Sequence, residues 1–127
     1  MFDEIFLQKR EILVKTVELV ESVLVLENKR REEKERTEEV QFLGKASVFL
    51  LENLVKVCGD ASEKKSRKYL KKNQQCCIQC ILILTILKNK GSIGPMTHTA
   101  LSSQVEQIAQ ILPQITPKVE IPPNCTS

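Results

Sequence analysis

Cys76-Cys77-Ile78-Gln79-Cys80 holds three of the chain's five cysteines, at a spacing that brings two thiolates of one helical face toward a single metal ion. His98 is a distant candidate for a further ligand. Structural zinc, however, takes four ligands in a tetrahedral set, and a free cysteine in an apolar stretch behaves as a small hydrophobe. No metal site is therefore assigned. Nucleophilic thiol chemistry needs a lowered pKa. Lysines lie within two turns of Cys76, but the residue opens an apolar run whose burial raises a thiol, so the cysteines are read as structural. His98, the only histidine, has no Ser or Cys beside it in a nucleophile motif. Gly91 and Gly94 neither follow a parallel strand nor lead into the Lys-Ser/Thr pair of a phosphate loop. Neither an enzyme nor a cofactor is expected.

The second chemical signal is charge. The 127 residues carry a net +3, unevenly distributed: residues 1–60 sum to −3, residues 61–90 to +7 and residues 91–127 to −1. The excess is concentrated in Lys64, Lys65, Arg67, Lys68, Lys71 and Lys72, with Tyr69 the only aromatic among them. Such a patch attracts phosphates or acidic peptides, and salt screens it. Charge alone gives the sign of a partner and not its class. No zinc finger, helix-turn-helix signature or stacking platform is apparent to favour nucleic acid over protein.

These residues must be positioned by helices. Aromatics are 4% of the chain, with no Trp, which argues against a β-sandwich, and 42% apolar with 28% charged residues fits one soluble domain. Ile5, Ile12, Leu19 and Leu26 repeat every seven residues, with Phe6, Leu13 and Val20 in the adjacent row. The two rows predict a helix from about Phe2 to Glu27 with a wide apolar face. Eleven of the thirteen residues from Glu27 to Glu39 are ionised at neutral pH; this stretch is read as a solvated extension of the first helix or an exposed connector, with Thr37 capping a separate second helix as the preferred reading. That helix follows Val40, Leu43, Ser47, Leu50, Leu54 and Val57. Gly59 is the expected left-handed stop, and Asp60 with Glu63 resembles a capping box.

A third helix from about Ala61 to Asn89 follows Leu70, Asn73, Cys77, Cys80, Leu84 and Leu87. Its first half is basic and expected to protrude; its second half is apolar on every side and expected to be central. Asn73 is placed either as a buried group fixing register or at the rim. After the breakers Lys90 to Pro95, Thr97 or Thr99 is expected to cap a fourth helix through Leu101, Val105, Ile108 and Leu112.

The reading is thus an all-α four-helix bundle or a fragment of a helical repeat. It comprises a helical domain over residues 1–112, with the charged connector at about 27–39, and a flexible Pro-rich tail over 113–127. Cys76 to Leu87 is too short to cross a bilayer. The opening residues lack the pattern of a secretory signal, and the odd cysteine count suits a reducing compartment. An intracellular protein, cytoplasmic or nuclear and without membrane insertion, is expected. Asn124-Cys125-Thr126 is then a chance match to a glycosylation acceptor.

The leading functional expectation is a non-enzymatic interaction or scaffold subunit that binds another protein or a second copy through helices. Ile5, Ile12, Leu19 and Leu26 are its apolar anchors, and the basic residues select an acidic partner. The alternative is a helical nucleic-acid-binding module using residues 64–72.

Overall fold

The computed structural model describes residues 4–32, 37–59 and 62–116. They form four helices and no strand: α1 (Glu4–Glu32), α2 (Glu38–Cys58), α3 (Glu63–Asn89) and α4 (Pro95–Ile115). At about 1.5 Å per residue the helices are roughly 30 to 45 Å long, close enough in length to lie side by side.

The helices pack in a closed ring, α1 on α2, α2 on α3, α3 on α4 and α4 back on α1. Neighbours run antiparallel. Gln8 donates to Gln114 at 2.8 Å, Lys15 to Gln107 at 2.9 Å and Gln104 to Ser22 at 3.1 Å, a register that runs in opposite directions along α1 and α4. Closure of α4 onto α1 makes this a four-helix bundle and removes the repeat-fragment alternative, because a repeat leaves its end helices open to the next unit.

The three-four spacing of apolar residues selects the core. All six residues of the predicted α2 row are buried, as are all six of the α3 row and all four of the α4 row. Thr16 and Ser47 are buried too, and each hydroxyl donates to a carbonyl of its own helix, Ile12 O at 2.7 Å and Gly44 O at 2.9 Å. Asn73 is fully buried rather than at the rim. Its Oδ1 accepts from Asn53 Nδ2 at 2.9 Å, and its own Nδ2 donates to Leu50 O at 3.2 Å.

α1 runs past Glu27 to Glu32, the helical-extension alternative for the charged stretch, because alternating charges at i and i+4 support a solvated helix as readily as they mark a connector. Thr37 caps α2 as expected, its side chain accepting from Val40 N. Other ends differ from expectation. Gly59 closes α2 with φ −89°, not in the left-handed region. The cap of α3 is Ser62, whose hydroxyl accepts from Lys65 N; Asp60 lies outside the described residues.

Between α3 and α4, Gly91 supplies the left-handed turn at φ 74°. Its N–H bonds to Lys88 O at 3.0 Å, and that of Ser92 to Leu87 O at 2.9 Å. This paired closure satisfies two carbonyls at the helix end. Gly94, not a threonine, then occupies the N-cap of α4 with Pro95 in its first turn, where a missing N–H costs nothing. α4 continues through Pro113 to Ile115, beyond the boundary expected at 112. Ile111, Leu112 and Ile115 are buried, and this packing holds the last turn despite the proline. Residues 117–127, the rest of the predicted tail with Cys125, lie outside the described residues.

Candidate functional site

Three of the four predicted apolar anchors lie inside the bundle and not on its surface. Ile12 and Leu19 are fully buried and Leu26 nearly so, packed in the protein's own core; Ile5 lies on α1, with its side chain outside the described residues. A seven-residue repeat identifies a packed seam but not whether the chain packs it against itself. In the adjacent row Leu13 packs half-buried against the core, Val20 is half-buried and Phe6 is 49% exposed.

Exposed apolar residues lie on several helices, among them Leu7, Val14 and Val25 of α1 and Val48 and Val55 of α2, and one set forms a row on α3. Ile78, Leu82 and Ile86 are 62%, 58% and 42% exposed, and their four-residue spacing puts them in one row on α3, opposite the buried row. The expectation that this half of α3 is central holds for one face only. Its two neighbours, α2 and α4, supply its burial through Cys76, Cys77, Cys80, Leu84 and Leu87, and nothing among the described residues covers the outer side. Spacing of three and four continues the outer row back through Gln75 to Lys71, Lys68 and Lys64, all exposed. The basic half also packs where it was expected to protrude, since Ser66 and Leu70 are buried. The outer face of α3 is therefore cationic at one end and apolar at the other.

The remaining bases of the segment leave this face. Arg67 is half-buried, and Lys65 and Lys72, seven residues apart, turn toward α2. There Lys72, Gln75 and Gln79 of α3 face Phe42, Lys45 and Phe49 of α2 across an open groove of about 420 Å³, floored by Ala46 and Cys76. Phe42 and Phe49 are 41% and 40% exposed. At the α3 N-terminal end of this side, the Lys56 ammonium sits 5.3 Å from the centre of the Tyr69 ring, within cation–π range. Lys45 and Phe49 also line a second groove, between α1 and α2, with Leu24, Val48, Glu27 and Glu52, so acidic residues border the far side of this lysine and ring.

Phe42, Lys45 and Phe49 were legible as residues but not as a site. They sit at i, i+3 and i+7 off the core row, and only the pairing of α2 with α3 places the lysines of the basic segment opposite them.

The cysteines form a buried cluster on α3. Cys76 donates to Ala46 O at 3.5 Å. Burial, with Cys76 beside it, pushes the Cys77 thiol up to about 12. The hydrogen bond between Cys80 and Cys76 favours the proton on Cys80, whose pKa is strongly raised, and lowers that of Cys76 against the effect of burial. Half-buried Cys58 is raised by burial. Among the described residues, no three His, Cys, Asp or Glu side chains are grouped to hold a metal ion, and no helix is long and apolar enough to cross a membrane.

No family model and no curated protein matches the chain. Among solved structures it is similar to a protein of unknown function from the S23 ribosomal protein family of Bacteroides thetaiotaomicron. The two are 12% identical with a TM-score of 0.81, over 86% of this chain and 97% of the other. At that identity the likeness is one of fold.

Proposed function

We propose that the chain is a non-enzymatic interaction or scaffold subunit, and that it binds another protein or a second copy through the outer face of α3. The observation that carries this reading is the row Ile78, Leu82 and Ile86, left 62%, 58% and 42% exposed in a bundle whose core is already closed. A contiguous apolar strip of this kind is costly to leave in water and is the usual mark of an interaction face. Lys64, Lys68 and Lys71 continue the same face and select an acidic segment on the partner, which fixes orientation more than affinity.

The role first expected of Ile12, Leu19 and Leu26 passes to this row, since those residues build the core. The free thiols of Cys58, Cys76, Cys77 and Cys80 support a reducing, intracellular setting. The fold neighbour, itself of unknown function, adds no partner.

A photo-crosslinking residue at Leu82, compared in living cells with one at Gln110, exposed on the polar outer face of α4, tests the reading. Protein adducts or crosslinked copies at position 82 and not at 110 are expected. Equal crosslinking at both, or none at either, overturns it.

A further inference from the structure

We infer that the groove between α2 and α3 binds a single-stranded polynucleotide, with Phe42 and Phe49 as stacking surfaces and Lys45 and Lys72 on the phosphates. This stands apart from the scaffold reading, which uses the outer face of α3 and none of these four residues.

A groove that holds single strands without strict sequence preference combines aromatic faces for the bases with cations along the backbone. Both are present on one surface. Phe42 and Phe49 are two of the chain's five aromatics; each is about two-fifths exposed and both line the same groove. Lys45 lies between the rings along α2, and Lys72 faces them from α3. Gln75 and Gln79 add amides able to pair with base edges.

The dimensions agree. Seven residues of helix separate the rings by about 10 Å, roughly three nucleotide steps at about 3.4 Å each. Toward the start of α3, Lys56 and Lys65 prolong the basic track. At the other end Glu38, exposed one turn before Phe42, limits the site, while the Glu39 carboxylate is occupied by Lys90.

An acidic peptide without apolar side chains would satisfy the lysines but leaves the two rings without a role. Duplex DNA presents phosphates outward and keeps its base faces stacked, so it too would bypass Phe42 and Phe49. The rings therefore decide for a single strand.

The test is fluorescence anisotropy of the full chain with a labelled uridine-rich RNA of about 16 nucleotides, the upper site size for a small domain, titrated across salt. Binding is expected at low salt, with log K falling against log salt at a slope of about −3, the value for about four neutralised phosphates on a single strand. Phe42→Leu and Phe49→Leu keep apolar bulk and remove the ring; each is expected to weaken binding about tenfold, the scale of one lost base stack. Lys45→Ala with Lys72→Ala is expected to make the slope shallower by about 1.4, the value for two phosphates on a single strand. Leu82→Gln, on the outer face of α3, is expected to leave binding unchanged.

The inference is overturned if the RNA does not bind at low salt, or if binding ignores both Phe→Leu changes. It is equally overturned if a polyglutamate peptide or a duplex of the same length binds as tightly as the single strand.

Discussion

Asn53 Nδ2 donates to Asn73 Oδ1 across 2.9 Å at the seam of α2 and α3, with both side chains removed from water, Asn53 to 3% exposure and Asn73 to none. Asn73 is held a second time through its own amide on Leu50 O. A polar pair inside an apolar seam tolerates one axial register, because a slip by one turn sets each amide against hydrocarbon. Asn73→Ala strands the Asn53 amide and is expected to lower stability by about 1–3 kcal/mol in urea unfolding. Replacing both with Leu is expected to cost less than the two single Leu changes together, which a double-mutant cycle measures.

Ile12 distinguishes core from surface. As a fully buried residue, Ile12→Ala is expected to cost about 2–5 kcal/mol, whereas Leu82→Gln, at an exposed position, is expected to change stability by no more than about 0.5 kcal/mol. Urea titration of the two variants compares them. Equal costs would show that the α3 outer row is packed as tightly as the α1 seam.

Gly44 sits where α2 passes α1, and the Glu27 carboxylate occupies the space a Cβ would fill there. Ala at 44 gains about 1 kcal/mol of helix propensity but displaces the carboxylate. Gly44→Ala is expected to stabilise the protein by the full amount only in a Glu27→Ala background, and by less in the natural sequence. Thermal unfolding of the four combinations measures this coupling.

The Cys77 thiol, pushed up to about 12 by burial from an ordinary 9.0, binds its proton more tightly folded than unfolded. Its contribution to stability is complete below pH 9.0 and is lost as pH rises toward about 12. Cys77→Ala is expected to flatten the decline of stability over that window in alkaline urea titrations. Thiol labelling of a Cys125→Ser variant is expected to modify half-buried Cys58 under native conditions and Cys77 and Cys80 only on unfolding.

Glu39 is held below its ordinary carboxyl pKa of 4.5, first by its hydrogen bond with Lys90. Lys90→Ala is expected to bring the Glu39 titration back up toward 4.5, as NMR would follow. A lowered folded pKa supports stability above the unfolded value and withdraws it on acidification; at this exposed pair the effect is small.

Periodicity made the inside of the bundle legible and left its outside hidden. The rows through Leu50, Leu84 and Leu112 are core because their spacing admits one buried face per helix, whatever the partner. Ile12 and Leu19 obey the same rule, but a row cannot state whether its cover comes from the same chain. Ile78 and Leu82 were masked by the buried residues between them, since a segment apolar on all sides has no contrast to orient it. Phe42 and Lys72 are 30 positions apart, and only the antiparallel seam of α2 and α3 brings them to one groove. Helix ends were harder because near-equal choices compete locally, as Ser62 against Asp60 and Gly94 against Thr97 illustrate.

The 2.8 Å bridge from Gln8 to Gln114 brings the outermost turns of the first and last helices to a common pole. A linker spanning that pole, with a new opening cut at the Gly91 turn, would preserve all four seams while changing the order in which they are synthesised. The circular arrangement of rods has no intrinsic beginning, and such a permuted molecule would close around the same interior.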